Sequence, residues 1–263
     1  MPGTTAGNDA LGNEKSKSWT LGLVLAPPDI PGLRASIDWT DIRIESSIVS
    51  TTLTQLFATC YDNDTFGSND ACNRFARNPA TFQINSFRLG FLNAAERRFS
   101  GLLADVQYKF SLGSLGLPGS MTIGGTGFYT RRNEQRINRG DLDILAGERG
   151  FEKYKVQGNF QYAVDGFSAL WQVLYTSSGK IDAQASSELR DPGTFGAFWQ
   201  HDLGLSMDVN RNLSVRFTVT NIFDAMDDAE RITAKATNAV IGGANLFSNL
   251  IGRSFSVGAK VRF

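Results

Sequence analysis

The stretch LLADVQYKFSL, residues Leu102–Leu112, decides the fold class of this chain. Apolar and aromatic side chains occupy its even positions, whereas Asp105, Gln107 and Lys109 occupy odd positions. An alternation with a period of two residues is typical of a β-strand that has one apolar and one polar face, and not of a helix. The pattern predicts a strand that separates an apolar environment from a wet one.

Eight further segments show a similar alternation, so we expect an all-β chain with about nine strands. In the segment LSVRFTVTNIFD, Leu213, Val215 and Phe217 share one face, and Arg216 lies on the other. The segments are Trp19–Leu25, Leu33–Ile44, Met121–Thr130, Tyr154–Val164, Ala169–Ser177, Trp199–Val209, Leu213–Asp224 and Ile251–Phe263.

The composition of the 263 residues is balanced, with 26 Lys and Arg against 26 Asp and Glu and a formal net charge of 0. This balance argues against a nucleic-acid-binding protein, which carries a basic surplus. No stretch approaches the roughly 18 consecutive apolar residues of a membrane helix. A mean hydropathy of −0.18 suits a soluble domain, but also a transmembrane β-barrel, whose apolar residues are spread over alternate positions.

The connections between the predicted strands alternate between short and long. Short turns are predicted at Pro27–Gly32, Gly113–Gly119, Asp165–Gly166 and Asn210–Asn212, and long links at about Ser50–Asn93, Arg131–Glu152, Ser178–Gly196 and Ala225–Leu250. Because consecutive strands reverse direction, all short turns lie at one end of the sheet. Outer-membrane barrels have short periplasmic turns and long extracellular loops in this arrangement.

We therefore expect an antiparallel transmembrane β-barrel segment rather than a soluble β-rich protein. Charges on the polar strand faces, such as Lys260 and Arg262, suit a wet lumen. Nine strands leave two edge strands that run in the same sense, whereas bacterial single-chain barrels have an even number of antiparallel strands. We expect a partial barrel or a curved open sheet.

Several segments resemble the C-terminal barrel portion of a TonB-dependent outer-membrane receptor. Gly7–Pro27 (GNDALGNEKSKSWTLGLVLAP) is similar to a mid-barrel segment of that family, and Pro31–Ile48 resembles the strand that follows. Asn221–Asp224 (NIFD) looks like the family's "NLFD" near the end of the penultimate strand, and Gly252–Phe263 matches its terminal strand. The resemblance covers essentially the whole chain.

The resemblance implies energy-coupled uptake of a nutrient, such as a siderophore, a cobalamin or an oligosaccharide, across the bacterial outer membrane. It also implies three partners: outer-membrane lipid, an inner-membrane TonB complex, and the barrel assembly machinery, which would read Phe263 as its signal. We expect residues 1–18 to form an extracellular-side lead-in and residues 19–263 to form the C-terminal part of the barrel.

Barrels of this kind have about 22 strands, and no plug domain is recognisable in the 263 residues. We therefore expect a fragment that lacks its N-terminal barrel and plug and is not transport-competent alone. The alternative function is that of a self-standing small porin or adhesin barrel.

The two cysteines, Cys60 and Cys72, flank the polar stretch Tyr61–Ala71. This composition favours a surface loop that is closed by a disulfide, although two unpaired buried thiols also fit. Many members of the resembled family carry a loop disulfide at this place. A disulfide implies an oxidising compartment, yet Met1–Asn13 shows no secretory signal, so either the chain stays inside the cell or its true start is missing.

Residues with catalytic chemistry are few. The one histidine, His201, shares its parity with Trp199 and Leu203, which predicts an interfacial position on the lipid side. An outer-membrane hydrolase is the alternative, but no serine motif accompanies the histidine. We expect no enzyme activity, cofactor or metal site.

One predicted long loop carries a basic run, which consists of Arg131, Arg132, Arg136 and Arg139. Guanidinium groups bind anionic oxygens well. The run is therefore a candidate contact for an anionic chelate or for lipopolysaccharide phosphates, with a solvated loop as the alternative.

Overall fold

The computed structural model describes residues 3–50, 52–61, 66–67, 69–136, 142–184, 193–226 and 252–262. Most of these residues lie in β-strands, with one α-helix, α1 (Leu53–Tyr61), and two 3₁₀ turns, Asp70–Arg74 and Leu112–Leu115. The strands are β1 (Gly3–Ala6), β2 (Lys15–Leu25), β3 (Leu33–Ser50), β4 (Phe75–Arg77), β5 (Ile84–Ser111), β6 (Ser120–Arg136), β7 (Leu142–Ile144), β8 (Tyr154–Val164), β9 (Phe167–Thr176), β10 (Gly179–Lys180), β11 (Thr194–Phe195), β12 (Phe198–Asp208), β13 (Leu213–Thr220) and β14 (Ser254–Val261).

The nine long strands form one sheet in which each pairs with the next long strand along the chain, in the order β2, β3, β5, β6, β8, β9, β12, β13, β14. From β6 to β14 every one of these pairs is antiparallel. β2 and β14 end the order, and the described residues contain no pairing between them. The structure confirms the predicted all-β open sheet of about nine long strands.

The two faces of the sheet differ in polarity. Phe160, Trp171 and Leu203 lie opposite one another across β8, β9 and β12, and the first two are exposed. Asn159 and Gln172, one position away, lie opposite each other on the other face. A face of exposed large apolar side chains is the surface that a lipid-facing sheet requires.

Four strands extend well beyond their predicted ranges. These strands are β2, β3, β5 and β6, and their predicted ranges are Trp19–Leu25, Leu33–Ile44, Leu102–Leu112 and Met121–Thr130. The links predicted at Ser50–Asn93 and Arg131–Glu152 are therefore shorter. The apolar alternation covers only part of each of these strands. Backbone pairing continues into polar sequence, where the side chains do not have to contact lipid. The link between β3 and β5 contains the helix α1.

The predicted strand Leu213–Asp224 is too long, since β13 ends at Thr220. Asn221 follows with a φ of 55°, which turns the chain out of the strand. Its side chain donates to the carbonyl of Ala225 and accepts from the Ala225 N–H, each at 2.9 Å. Its own N–H donates to Asp202 Oδ1 at 2.8 Å, so this end of β13 is fixed to β12.

Two glycines permit the short turns. Gly32 and Gly119 both have a φ of 89°, a conformation that L side chains rarely adopt. A Cβ atom on Gly32 would collide with the carbonyl oxygen of Lys109, and one on Gly119 with that of Ala163.

The chain divides into two compact units. The first comprises Met1–Thr20, Thr40–Ser100 and Arg132–Leu145, and the second comprises Leu21–Trp39, Gly101–Arg131 and Ala146–Phe263. The first unit holds the buried cluster of Leu56, Cys60, Ala71 and Leu92. The second holds the paired strands from β8 to β14. None of the helices within the described ranges is long and apolar enough to cross a membrane.

Residues before β2 are attached to β3 and β5 within the first unit. β1 pairs in parallel with residues 87–90 of β5, and Asn93 donates to the carbonyls of Gly12 and Ser46 at 2.9 Å each. Glu14 Oε1 accepts from the Ile48 N–H at 2.6 Å. The lead-in therefore has a defined position against these strands.

Candidate functional site

A disulfide joins Cys60 and Cys72, with their Cα atoms 4.8 Å apart. The cysteines are therefore paired, as predicted, and are not two free thiols. The disulfide connects α1 to the 3₁₀ turn Asp70–Arg74, where Asn69 accepts from the Cys72 N–H at 3.2 Å. It closes the link between β3 and β5 into a folded loop.

α1 begins with a reciprocal cap. The Thr52 hydroxyl accepts from the Gln55 N–H at 3.3 Å, and Gln55 Oε1 accepts from the Thr52 N–H at 3.0 Å. This is the capping-box arrangement, which satisfies two helix-terminal donors. One side of the helix then buries Leu56, which is 0% exposed and packs in the cluster with Ala71 and Leu92.

The folded loop carries an exposed surface of aromatic rings around one arginine, which we name the Arg77 surface and define as Tyr61, Phe66, Phe75, Arg77 and Phe82. The Tyr61, Phe66 and Phe82 side chains are 47%, 61% and 72% exposed. Phe66 and Phe82 are thus more than half exposed, and neighbouring exposed apolar groups are typical of binding surfaces.

Arg77 is held in one orientation on this surface. Its Nε and Nη2 donate to the Tyr61 hydroxyl at 3.1 and 2.7 Å, and its Nη1 donates to the Phe82 carbonyl at 2.7 Å. The guanidinium carbon lies 5.7 Å from the Tyr61 ring centroid and 5.8 Å from that of Phe75. Since a guanidinium has five N–H donors, Arg77 retains donors for an anionic oxygen.

A charged network lies on β3 and β5. Glu96 Oε1 lies 2.9 Å from Arg43 Nε and 2.8 Å from Arg98 Nη2. Burial raises the pKa of Glu96, but the hydrogen bond and charge of Arg98 and the charge of Arg43 outweigh it, so the pKa lies below its ordinary value of 4.5. The network connects β3 to β5.

We predict that this network weakens in acid. A carboxylate with a depressed pKa contributes stability that is complete above pH 4.5 and is lost as the pH falls through the pKa of the folded state. The expected loss is about 1 kcal/mol or less, because the arginines are partly exposed. Amide-exchange protection of residues 96–98, corrected for intrinsic rates, measures it at pH 6 and pH 3.

E96Q is expected to remove this pH dependence, whereas E45Q, which alters the more exposed carboxylate beside Arg43, is expected to retain it. Equal pH dependence in the wild type and E96Q would contradict the assignment to Glu96.

The four arginines of the predicted basic run do not form one cluster among the described residues. Arg131, Arg132 and Arg136 lie on β6 rather than in a loop, because β6 continues past the apolar alternation. Arg131 lies over the Trp39 ring, and Arg132 Nε lies 3.6 Å from Glu134 Oε1. Arg139 lies outside the described residues.

The polar face from β8 to β13 forms a hydrogen-bonded wall. Gln172 donates to Asn159 Oδ1 at 3.1 Å, and Gln200 donates to Asp202 at 3.0 Å. A concavity of about 420 Å³ lies on this face, lined among others by Gln172, Asp202 and Arg216. Such a wall suits water or a polar polypeptide, and not lipid.

His201 lies on the apolar face with Trp199, as predicted. Its ring centroid lies 5.7 Å from that of Trp171, 6.5 Å from that of Trp199 and 5.0 Å from that of Phe223. Within the described residues, no group of three or more His, Cys, Asp or Glu side chains could hold a metal ion.

The fold and these surfaces define an outer-membrane β-barrel protein, with one apolar face, one polar face and folded loops at the end of the long connections. Residues 2–222 match the family model described as "TonB dependent receptor-like, beta-barrel". The chain belongs to this family, which is one of receptors and not a class of enzymes, and its location is the bacterial outer membrane. The resemblance seen in the sequence is confirmed.

Solved structures share the fold over nearly the whole chain. A variant of the ferric enterobactin receptor PfeA of Pseudomonas aeruginosa matches 97% of the chain at 17% identity with a TM-score of 0.64. The matched part is 32% of that structure. The siderophore receptor PirA of Acinetobacter baumannii matches 98% at 15% identity and a TM-score of 0.64, covering 33% of it. The FrpB iron transporter of Neisseria meningitidis matches 99% at 13% identity and a TM-score of 0.60, covering 32%.

The chain thus spans about a third of the length of these structures. No curated protein matches it in sequence.

Proposed function

We propose that the chain is the C-terminal barrel portion of a TonB-dependent receptor for energy-coupled nutrient uptake across the outer membrane. The family match over residues 2–222 carries this proposal. The fold similarity to PfeA, PirA and FrpB, of which the chain covers about a third, supports it. In this proposal residues 1–18 are the extracellular lead-in, whose last residues from Lys15 onward already belong to β2. Residues 19–263 are barrel, and the chain does not transport alone.

The partners follow from the same proposal. The apolar face contacts outer-membrane lipid, and the polar wall with Gln172 and Asp202 faces a plug and the N-terminal barrel strands. The inner-membrane TonB complex acts on that plug. Phe263, which lies outside the described residues, is the signal for the barrel assembly machinery.

Among nutrients, the Arg77 surface favours a metal chelate such as a siderophore over a cobalamin or an oligosaccharide. A chelate offers anionic oxygens to the remaining N–H donors of Arg77, and charge-assisted hydrogen bonds of this kind are strong. The exposed rings of Tyr61, Phe66 and Phe82 add apolar area. Arg132, Arg136 and Arg139 are proposed as further contacts from the extracellular side.

Deletion of the encoding gene in the source bacterium tests the function. Uptake of a labelled ferric chelate, a cobalamin and an oligosaccharide is measured in the deletion strain and after restoration of the full reading frame. We expect loss of ferric chelate uptake that the full reading frame restores. Unchanged uptake of all three ligands would refute the proposal.

Single substitutions in the restored gene test the surface. R77Q is expected to raise the apparent Kd for the chelate about tenfold, since one charge-assisted contact is lost. R211Q is the matched control, because Arg211 is an exposed arginine in the short turn between β12 and β13. Equal affinity of the two variants would exclude the Arg77 surface but not the receptor function.

A further inference from the structure

Arg131 lies on the outer, lipid-facing side of the sheet. Tyr129 lies opposite Tyr154 in the β6–β8 register, and Tyr154 shares its face with the exposed Val156 and Phe160. Side chains two positions apart on a strand share a face. Arg131 therefore projects from the same face as Tyr129, one step closer to the end where the long connections lie.

Aromatic rings surround this position. The Arg131 guanidinium carbon lies 5.6 Å from the centroid of the Trp39 ring. The rings of Tyr129 and Tyr154 stack with centroids 5.0 Å apart. Tyrosine and tryptophan are enriched where a membrane protein crosses from hydrocarbon to headgroups, so these rings mark the depth of the headgroup layer.

Arg131 is exposed, and no carboxylate of the described residues lies within 4.0 Å of its guanidinium. The cation instead lies over the Trp39 ring, within the distance of a cation–π contact. An exposed guanidinium at headgroup depth is accessible to the phosphates of lipid headgroups. A phosphate matches the planar fork of a guanidinium, which can donate two parallel hydrogen bonds.

We propose that Arg131, whose guanidinium lies over the Trp39 ring, binds the phosphate of an anionic lipid headgroup in the outer leaflet. Trp39 positions the guanidinium, and the Tyr129–Tyr154 pair packs beside the upper part of the acyl chains. This lipid site depends on the membrane position of the sheet and is independent of which nutrient the receptor carries.

The test measures lipid binding to the chain in a neutral detergent by displacement of a fluorescent lipopolysaccharide. Unlabelled lipopolysaccharide is expected to compete with the wild type, whereas R131Q is expected to raise the apparent Kd about tenfold, the loss of one charge-assisted contact. R216Q is the matched control, since Arg216 is an exposed arginine on the polar face, and its Kd is expected to stay within about twofold of the wild type.

Three further results decide the proposal. W39L is expected to raise the Kd by a smaller factor than R131Q, because the positive charge of Arg131 remains but its guanidinium loses the contact with the ring. Dephosphorylated lipid and free inorganic phosphate are expected not to compete. If R131Q binds like R216Q while far-UV circular dichroism shows both folded, or if dephosphorylated lipid competes equally, Arg131 is not a lipid phosphate site.

Discussion

Replacement of both Cys60 and Cys72 by serine is expected to unfold the loop that carries the Arg77 surface while strand pairing from β8 to β14 persists. The disulfide closes a loop with a sequence separation of 12 residues, for which the chain-entropy model gives about 3 kcal/mol. The small cluster of Leu56, Ala71 and Leu92 is too limited to compensate for that loss. Strands β8 to β14 share no residue with this loop.

Hydrogen exchange followed by mass spectrometry measures this effect separately in the two regions. Peptides from residues 53–61 and 69–77 are expected to lose protection in the double variant, and peptides from β9 and β12 are expected to keep it. L56A provides a comparison, because a buried Leu→Ala change costs roughly 2–5 kcal/mol through the cavity that it leaves. Unchanged protection of α1 in the double serine variant would show that the cluster alone holds the loop.

Substitution of Asn221 by alanine is expected to destabilise the second unit by about 3 kcal/mol, through two unpaired backbone groups and a strained backbone. Asn221 is fully buried, and its amide satisfies both the N–H and the carbonyl of Ala225. An alanine leaves both groups without that partner and has to keep a φ of 55°.

Urea unfolding of the chain in detergent, with Trp fluorescence as the signal, measures the change. N221G separates the two causes, because glycine adopts positive φ without strain but makes no side-chain hydrogen bonds. N221G is expected to be more stable than N221A and less stable than the wild type. If N221G matched the wild type, the hydrogen bonds to Ala225 would carry no stability.

The sequence predicted the nine long strands because lipid contact imposes a strict alternation of apolar and polar side chains. Leu203 and Trp171 must face hydrocarbon, and their neighbours in sequence must not. In the part of β5 toward Ile84, lipid contact does not impose this alternation. Pairing there depends on contacts such as the one between Arg43 and Glu96, two residues that are far apart in the sequence.

The Arg77 surface could not be predicted in the same way. Tyr61 and Arg77 are 16 residues apart, and only the disulfide and the packing of α1 bring them together. The start of α1, by contrast, is predictable from the sequence, because Thr52 and Gln55 have the spacing of a capping box. The sequence predicts Arg131 in a loop because the apolar alternation ends at Thr130, whereas β6 continues to Arg136.

The pairing of each long strand with the next one along the chain has a consequence for folding kinetics. Each contact between long strands needs the closure of one hairpin, and the entropy cost of that closure rises only slowly with loop length. Strands can therefore be added to the sheet in chain order, each on the edge left by the one before. Long loops slow each step only modestly, so extra sequence in a long connection costs little in the speed of assembly.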